Sequence, residues 1–390
     1  MAIDIYREPA NISTPYSPVY FDVSSDLGTI TGMIADVYVN TTLVATLDKD
    51  PILGTTNSFR FEVGDILKKH FTNDIQIPTS TTIRQSEGSA LNYHIRAFEV
   101  LDNGTTFDTS WSESGAGTNY SQSSTLTAFD GIMHHQQQID DYICDNSTDF
   151  LLTNVKSNEG ATYAYRQPKV NRGIPFEIGF LCDSSCDIRY IELDSDFNVL
   201  SNSYLGSLQP TNNKAITQIS GSYNASAKYF RVRLYNSALS TISSGYIYRI
   251  VDGCDDDVTI FWKNQYGSYD QYSFSGNYKK SARSRQKTYS KRLDYNHDII
   301  DRGKTVRLSD NRETFTVYTK TESTFTVDYL HEIFESTDVY LYGLAGSRLT
   351  KELIPIIVTG GSSQSLNNED VVTQFSLTYE LANPKASQLG

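Results

Sequence analysis

Cysteine, tryptophan, methionine and proline are scarce in this chain, with 4, 2, 3 and 10 copies among 390 residues. So few cysteines cannot form a disulfide scaffold for a chain of this length, and we expect all four to be free thiols. The first residues, MAIDIYREPANISTP, carry charges and lack an apolar core segment, which argues against a secretory signal peptide. No apolar run approaches the length that spans a membrane, so we expect no membrane partner.

Long periodic stretches rich in leucine or alanine are also missing, whereas 27 tyrosines and 18 phenylalanines are present. Flat rings and β-branched side chains suit the surface of a pleated sheet, so this composition predicts a mainly β fold of tandem antiparallel β-sandwich domains. The length favours three regions. We predict a first region (1–127) formed by an immunoglobulin- or fibronectin-like sandwich with a short capping helix. A second region (128–255) combines a connecting helix with another sandwich, and a β-rich third region (256–390) carries one packed helix.

Local patterns support this division. In the first region, alternating runs at 19–23, 34–39, 59–63 and 93–100 predict strands, and FRFEVGDILKKHF changes from strand to helix spacing. In the second, AFDGIMHHQQQIDDYI (128–143) predicts the connecting helix, and RYIELDSDFNVLSNSYLG predicts two strands about a turn at 194–198. In the third, KTVRLSDNRETFTVYTK predicts two strands about a turn at 309–312, TESTFTVDYLHEIFEST predicts the helix, and three further runs predict strands.

The net charge of −13 is unevenly distributed along the chain. Residues 1–127 carry 7 Lys and Arg against 15 Asp and Glu, and residues 128–257 carry 10 against 16. Residues 258–390 carry 16 against 15. The last third therefore differs electrostatically from the acidic remainder, so that a basic surface of one copy is suited to an acidic surface of another.

No pattern in the sequence predicts catalysis, a cofactor or a metal site. The adjacent His134 and His135 would point about 100° apart on a helix, and CDSSC has no second Cys or His pair at zinc-ribbon spacing. Asp194, Asp196 and Asn198 begin like a calcium loop, but the bending glycine and the closing glutamate are missing. We find no P-loop, GxSxG elbow or HExxH helix, and we predict that the protein is not an enzyme.

The segment VTIFWKNQYGSYDQYSFSGNYKKSARSRQKTYSKRL (258–293) is the centre of the third region. It predicts a hairpin whose strands place Trp262 and Phe274 in the core, with a turn from Asn264 to Gly267, followed by a basic segment (Tyr278–Arg292). The basic segment contains seven cations and no acid: Lys279, Lys280, Arg283, Arg285, Lys287, Lys291 and Arg292. We expect it to project from its domain and to become ordered mainly on assembly. Acidic protein surfaces are the preferred partner, and nucleic acid is a secondary one.

The hairpin IFWKNQYGSYDQYSF resembles a W-N-x-x-G-x-Y/D-x-F-x-F pattern in virion proteins of tailed phages that infect Bacteroidetes, including crAss-like phages. The closing helix, the Pro-containing run 353–358 and the strand FSLTYELA are similar to elements of that group, as are FRFEVGDILKKHF and AFDGIMHHQQ. One departure is Tyr266-Gly267, where the group has a Gly pair after the Asn.

The resemblance implies a structural tail or neck protein that is made in the host cytoplasm and resides in the virion. It would act as a homo-oligomeric ring, hub or adaptor that holds neighbouring tail proteins. The hairpin residues Trp262, Asn264, Gly267 and Phe274 and the seven cations are the expected assembly residues. The many tyrosines and the modular β pattern leave a surface or carbohydrate-binding sandwich as the alternative. Paired carboxylates have no fixed spacing in a sequence, which keeps a glycan-cleaving enzyme as a third reading.

The cysteine count gives a first testable prediction. Thiol titration of the denatured, unreduced protein should report four free groups, because we expect neither a disulfide framework nor a signal peptide. A count of two or none would contradict it, and Cys182–Cys186 would be the first bridge to look for.

Overall fold

The structure is a computed structural model of the 390-residue chain. It describes residues 3–10, 12–26, 30–53, 55, 57–72, 75–77, 80–85, 88–101, 120–132, 150–153, 168–181, 185–208, 214–243, 245–253, 257–275, 278–290, 292–293, 295–296, 298, 303–320, 322–344, 351–367, 372–383 and 388–389. Strands form 60% of the structure and helices 6%, arranged as several antiparallel sheets with two short helices. The predicted mainly β fold with sandwich domains is confirmed.

The first region forms two facing sheets. Its strands are β1 (Ile3–Arg7), β2 (Ile12–Ser13), β3 (Tyr20–Ser25), β4 (Ile30–Val39), β5 (Thr42–Lys49), β6 (Ser58–Glu62), β7 (Thr82–Gln85), β8 (Ala90–Leu101), β9 (Ser121–Gln122) and β10 (Leu126–Phe129). One sheet has the order β1-β3-β6 and the other β2-β10-β8-β4-β5, with β9 beside β8. Alternate residues meet in a shared core that includes Phe21, Phe59, Phe61, Val37 and Tyr93, because successive side chains of a strand point to opposite faces.

A short helix in the first region is confirmed. Helix α1 (Gly64–Leu67) continues as a 3-10 turn (Lys68–His70) directly after β6, where strand alternation gives way to helical spacing. Leu67 is fully buried in the sandwich core. The predicted connecting helix is wrong at its start, because Ala128 and Phe129 end β10, paired with Leu91 and Ala90 of β8. Residues 133–143 of that prediction lie outside the described residues.

The second region also contains two sheets. Its strands are β11 (Phe150–Leu152), β12 (Lys169–Asn171), β13 (Phe176–Leu181), β14 (Cys186–Leu193), β15 (Val199–Leu208), β16 (Lys214–Ile219), β17 (Tyr229–Tyr235) and β18 (Tyr246–Val251). One sheet has the order β12-β18-β17-β14-β15. The other, β11-β13-β16-β7, takes its last strand from the first region. The predicted turn at 194–198 is confirmed, since Asp194 Oδ1 accepts the main-chain N–H groups of Asp196 and Asn198.

The third region is built on one nine-stranded sheet. Its strands are β19 (Val258–Lys263), β20 (Tyr269–Phe274), β21 (Tyr278–Ser290), β22 (Lys304–Tyr318), β23 (Glu322–Ser323), β24 (Val339–Leu344), β25 (Lys351–Asn367), β26 (Val372–Leu381) and β27 (Gln388–Leu389). The main order is β20-β19-β24-β25-β26-β22-β21. The turn predicted at 309–312 is wrong. β22 runs unbroken through these polar residues, since β21 pairs with it along the whole stretch and fixes it as a strand.

The predicted helix of the third region is confirmed as α2 (Thr324–His331), which continues as a 3-10 turn (Glu332–Phe334). Val327, Leu330 and Ile333 are buried, as their spacing on one face predicts. Phe334 stays 37% exposed, although its ring lies 5.4 Å from that of Phe375. None of the helices among the described residues has the length and apolar character needed to span a bilayer.

Contacts cross both of the predicted region boundaries. Besides the β7–β16 pairing, a single hydrophobic cluster extends from Val170 and Phe230 in the second region to Trp262 and Phe375 in the third. The boundaries at 127 and 255 stay predictions, because shared sheets and shared cores do not mark where a chain divides.

Trp262 and Phe274 are 0% and 2% exposed on the paired strands β19 and β20, as predicted. Replacing Trp262 with alanine in the full chain should destabilise it by about 3–5 kcal/mol, because the cavity cannot be refilled locally. Denaturant unfolding should show the lower midpoint. Tyr289→Ala, which truncates a side chain that is 50% exposed, is the matched control. An unchanged midpoint for Trp262→Ala would show that the tryptophan is not a core residue.

Candidate functional site

The turn between β19 and β20 is organised by Asn264. Its Oδ1 accepts the main-chain N–H groups of Tyr266 and Ser268, both at 3.0 Å, and Gly267 N–H donates to its main-chain carbonyl at 2.9 Å. This is the local bonding that favours asparagine in turns. Gly267 has φ of +69°, and a Cβ there would lie 1.5 Å from the carbonyl oxygen of Asp130. Within this turn Gly267 is the residue with a left-handed conformation, so the position of Tyr266 does not require a glycine.

The end of the first sandwich is fastened to this turn. Lys263 Nζ lies 2.6 Å from Asp130 Oδ2, with the two side chains 8% and 4% exposed. Ile132 N–H donates to the carbonyl of Gln265 at 2.6 Å, and Asp130 N–H donates to that of Ser89 at 3.1 Å. The residues after β10 therefore bridge the hairpin and the start of β8.

Two further carboxylates, Glu332 and Asp270, accept hydrogen bonds from residues of the turn and of β19. Glu332, in the 3-10 turn after α2, accepts the Gln265 N–H at 2.6 Å and the Trp262 indole N–H at 3.4 Å. Asp270 in β20 accepts the Asn264 side-chain amide at 2.9 Å and the Thr153 hydroxyl at 2.7 Å. Glu332 and Thr153 thus supply hydrogen bonds to the buried turn and to Asp270 from elements far apart in sequence, which offsets the cost of burying these polar groups.

Glu322 makes a similar link between the second and third regions. It accepts Lys169 Nζ at 2.6 Å and the Tyr272 hydroxyl at 2.8 Å. Burial raises the pKa of Tyr272 well above its ordinary value, and the charge of Glu322 raises it further. The hydroxyl therefore stays protonated at neutral pH and donates a hydrogen bond to the Glu322 carboxylate.

The four hairpin residues predicted for assembly are all buried, and the contacts described above lie within the chain. They hold the hairpin against other parts of the same polypeptide, and a role in assembly stays a prediction for them. Sequence reasoning missed their partners Asp130, Thr153 and Glu332. The available signals were Lys263 and Asp270, which are the charged residues of two strands rich in apolar and aromatic side chains.

The basic segment is a paired strand within the single chain, so the prediction that it becomes ordered mainly on assembly is wrong. Residues 278–290 form β21, which pairs antiparallel with β22 from Tyr278↔Val317 to Ser290↔Lys304. The cations alternate with Ser, Ala, Gln and Thr, which gives a strand with a solvated outer surface rather than a disordered tail. A strand at the edge of a sheet tolerates such charge because its side chains reach water.

The cations of β21 divide between two faces. Lys279, Arg283 and Lys287 stand at every fourth position of the strand on one face, exposed to solvent. Lys280 points to the other face, where it lies 3.0 Å from Glu313 and 5.4 Å from the centre of the Phe315 ring. Arg285 pairs with Asp310 in the strand register, Arg292 is exposed beyond the strand, and Lys291 lies outside the described residues.

No group of three His, Cys, Asp or Glu side chains that could hold a metal ion occurs within the described ranges. His134, His135, Cys144, Cys182 and Cys254 lie outside those ranges. Cys186 is buried in β14. No protein-family model and no curated protein matches the chain.

The buried pair gives a test of this joint. Asp130→Asn leaves the Lys263 ammonium buried without its counter-ion, which should destabilise the chain by about 3–5 kcal/mol. Replacing both residues with leucine should cost less than the single change, because no charge then stays buried. Denaturant unfolding of the full chain measures both.

Asp65→Asn is the matched control, since its carboxylate is 84% exposed beside Lys68, and its unfolding midpoint should hardly move. Equal unfolding midpoints for Asp130→Asn and Asp65→Asn would show that the Lys263–Asp130 contact does not contribute to the stability of the fold.

Proposed function

We propose that this chain is a structural protein of a phage tail, acting as a homo-oligomeric ring, hub or adaptor that binds neighbouring tail proteins in the virion. Its role in this proposal is mechanical, without a catalytic step. The proposal combines the resemblance of the hairpin to virion proteins with a mainly β architecture and a long basic edge strand.

The observation that carries the proposal is the position of the shared pattern at a buried joint. Trp262 donates a hydrogen bond to Glu332 in the turn after α2, Gly267 lies against the main chain of Asp130, and Asn264 shapes the turn between them. A tail protein that transmits force needs a stiff structure. Buried charged hydrogen bonds supply that stiffness, because breaking them costs free energy. A pattern used for such a joint suits a scaffold better than a recognition loop.

The charge distribution supports assembly through unlike surfaces. Residues 1–257 carry an excess of acids, whereas the charged residues of β21 are all cations. Complementary potentials steer association and fix orientation between partners. Copies of the chain, or neighbouring tail proteins of similar acidity, are therefore the proposed partners. Nucleic acid is the secondary one, because the acidic remainder repels a phosphate backbone.

A carbohydrate-binding role is the second candidate, favoured by one surface feature. The Phe197 ring stacks on that of Tyr229 at 4.6 Å and is 38% exposed, and Tyr204 on the same hairpin is 54% exposed. Exposed aromatic faces of this kind can contact apolar faces of ligands. Binding of host polysaccharide that is lost in Phe197→Ala would favour this role.

Native mass spectrometry tests the structural proposal. The chain should form a closed multimer that weakens as salt rises, because exposed ion pairs are screened over about 8–10 Å near physiological ionic strength. Replacing Arg283, Arg285 and Lys287 with serine should lower assembly with acidic partner proteins and leave the melting temperature of the monomer unchanged.

Serine replacements at the exposed Lys49, Lys69 and Lys228 remove the same charge from the first two regions and are the matched control. A monomer at every salt concentration would contradict the ring. Normal assembly of the triple variant together with a loss of DNA affinity would assign β21 to the genome.

A further inference from the structure

Strand β21 is the outermost strand of the nine-stranded sheet. β22 covers one of its edges, and no strand among the described residues pairs with the other. Its 13 residues extend over about 44 Å at about 3.4 Å per residue. An edge of this length offers a row of main-chain N–H and C=O groups, which another extended chain can use for pairing.

Side chains on this strand favour an acidic chain. Lys279, Arg283 and Lys287 recur every fourth residue on one face, about 14 Å apart, and are exposed. Side chains directly opposite each other on paired strands interact, and opposite charges stabilise the pair. On the β22 side Arg283 faces Arg312, so a carboxylate can lie directly across from Arg283 only on the outer side.

A second copy of β21 does not fit this edge. Pairing two such strands would bring cations of both copies onto the same surface, which is how natural proteins prevent edge-to-edge association. The opposite end of the sheet is closed as well, because all six residues of β20 are buried. Copies therefore cannot extend one sheet into the next through β20 and β21, and the occupant must be a different segment.

A polynucleotide fits less well than a polypeptide. Phosphates can meet the cations, but they cannot continue a ladder of alternating main-chain donors and acceptors. Residues 1–257 also carry 31 acids against 17 bases, which opposes the approach of a long polyanion. An extended acidic peptide satisfies both the main-chain and the side-chain features of the strand.

We propose that β21 binds an extended acidic segment of another protein by strand addition, with carboxylates at alternate positions facing Lys279, Arg283 and Lys287. Tyr278 and Tyr289, each 50% exposed, lie towards the two ends of the strand and cover the flanks of the added segment. The inference deepens the proposed tail function, on which it rests for a protein as the partner. It names the chemistry of that partner and the edge that receives it.

Fluorescence anisotropy with the full chain and a labelled synthetic peptide of about 11 alternating Thr and Glu residues tests the proposal, since 9–13 residues would cover the edge at about 3.4 Å each. Three probes are compared with it: the same peptide N-methylated at alternate residues, a Thr and Lys peptide, and single-stranded oligothymidine. N-methylation removes main-chain donors and keeps every charge. Hydrogen exchange of the β21 amides, with and without peptide, locates the bound probe.

The Thr and Glu peptide should bind and slow exchange across β21. N-methylation should weaken binding at least about tenfold, since it removes several main-chain bonds of the ladder. Arg283→Glu with Lys287→Glu should also weaken binding about tenfold or more, since two attractive contacts become repulsive. Lys49→Glu with Lys69→Glu reverses two exposed charges elsewhere and should leave binding unchanged.

Several results would overturn strand addition. These are equal affinity for the plain and N-methylated peptides, preference for oligothymidine, protection that falls outside β21, and no peptide binding at all. Peptide binding by a chain that stays monomeric would defeat the proposed ring and leave this inference standing. A closed multimer in which the β21 amides exchange slowly and to which the peptide does not bind would assign the edge to contacts between copies. That result would contradict this inference and would be compatible with the ring.

Discussion

The contact between Lys263 and Asp130 is the constraint on which the arrangement of the three regions depends. Both side chains are buried, and the two residues are 133 positions apart in sequence. A buried charge is stable only beside its partner, so this pair permits one placement of the segment after β10 relative to the hairpin. The absence of a Cβ at Gly267 allows the main chain of Asp130 to approach within contact, and Glu332 fixes the opposite side of the same turn.

Sequence patterns were sufficient where a residue's environment is decided by its neighbours in the chain. Alternation predicted β3, β4, β6 and β8, and the change of period after Phe61 predicted α1. Trp262 and Phe274 could be assigned to a core because large apolar side chains on one face of a hairpin are usually buried. The turn at Asp194 followed from its own local bonding.

The failures share a different cause, which is pairing between distant strands. SDNR (309–312) has the composition of a turn, yet it stays extended because β21 supplies a partner for every residue of that stretch. The basic segment was misjudged for the same reason, since only the register with β22 shows that its charges lie on an edge. Ala128 and Phe129 fit a helical face but complete β10 against β8. The acceptors Asp270 and Glu332 could not be assigned from spacing, because their partners come from other elements.

The loan of β7 to the sheet of the second region has a consequence for the order of folding. β7 precedes β16 in the sequence and is therefore synthesised first. Its four residues must wait for Ala215–Gln218 to be synthesised before the two strands can pair. If the two regions were expressed as separate polypeptides, β16 would present a bare edge and β7 would lack its sheet. Two chains synthesised close together can also exchange β7, so that β7 of one chain pairs with β16 of the other. A high local concentration of nascent chains therefore favours this domain-swapped product.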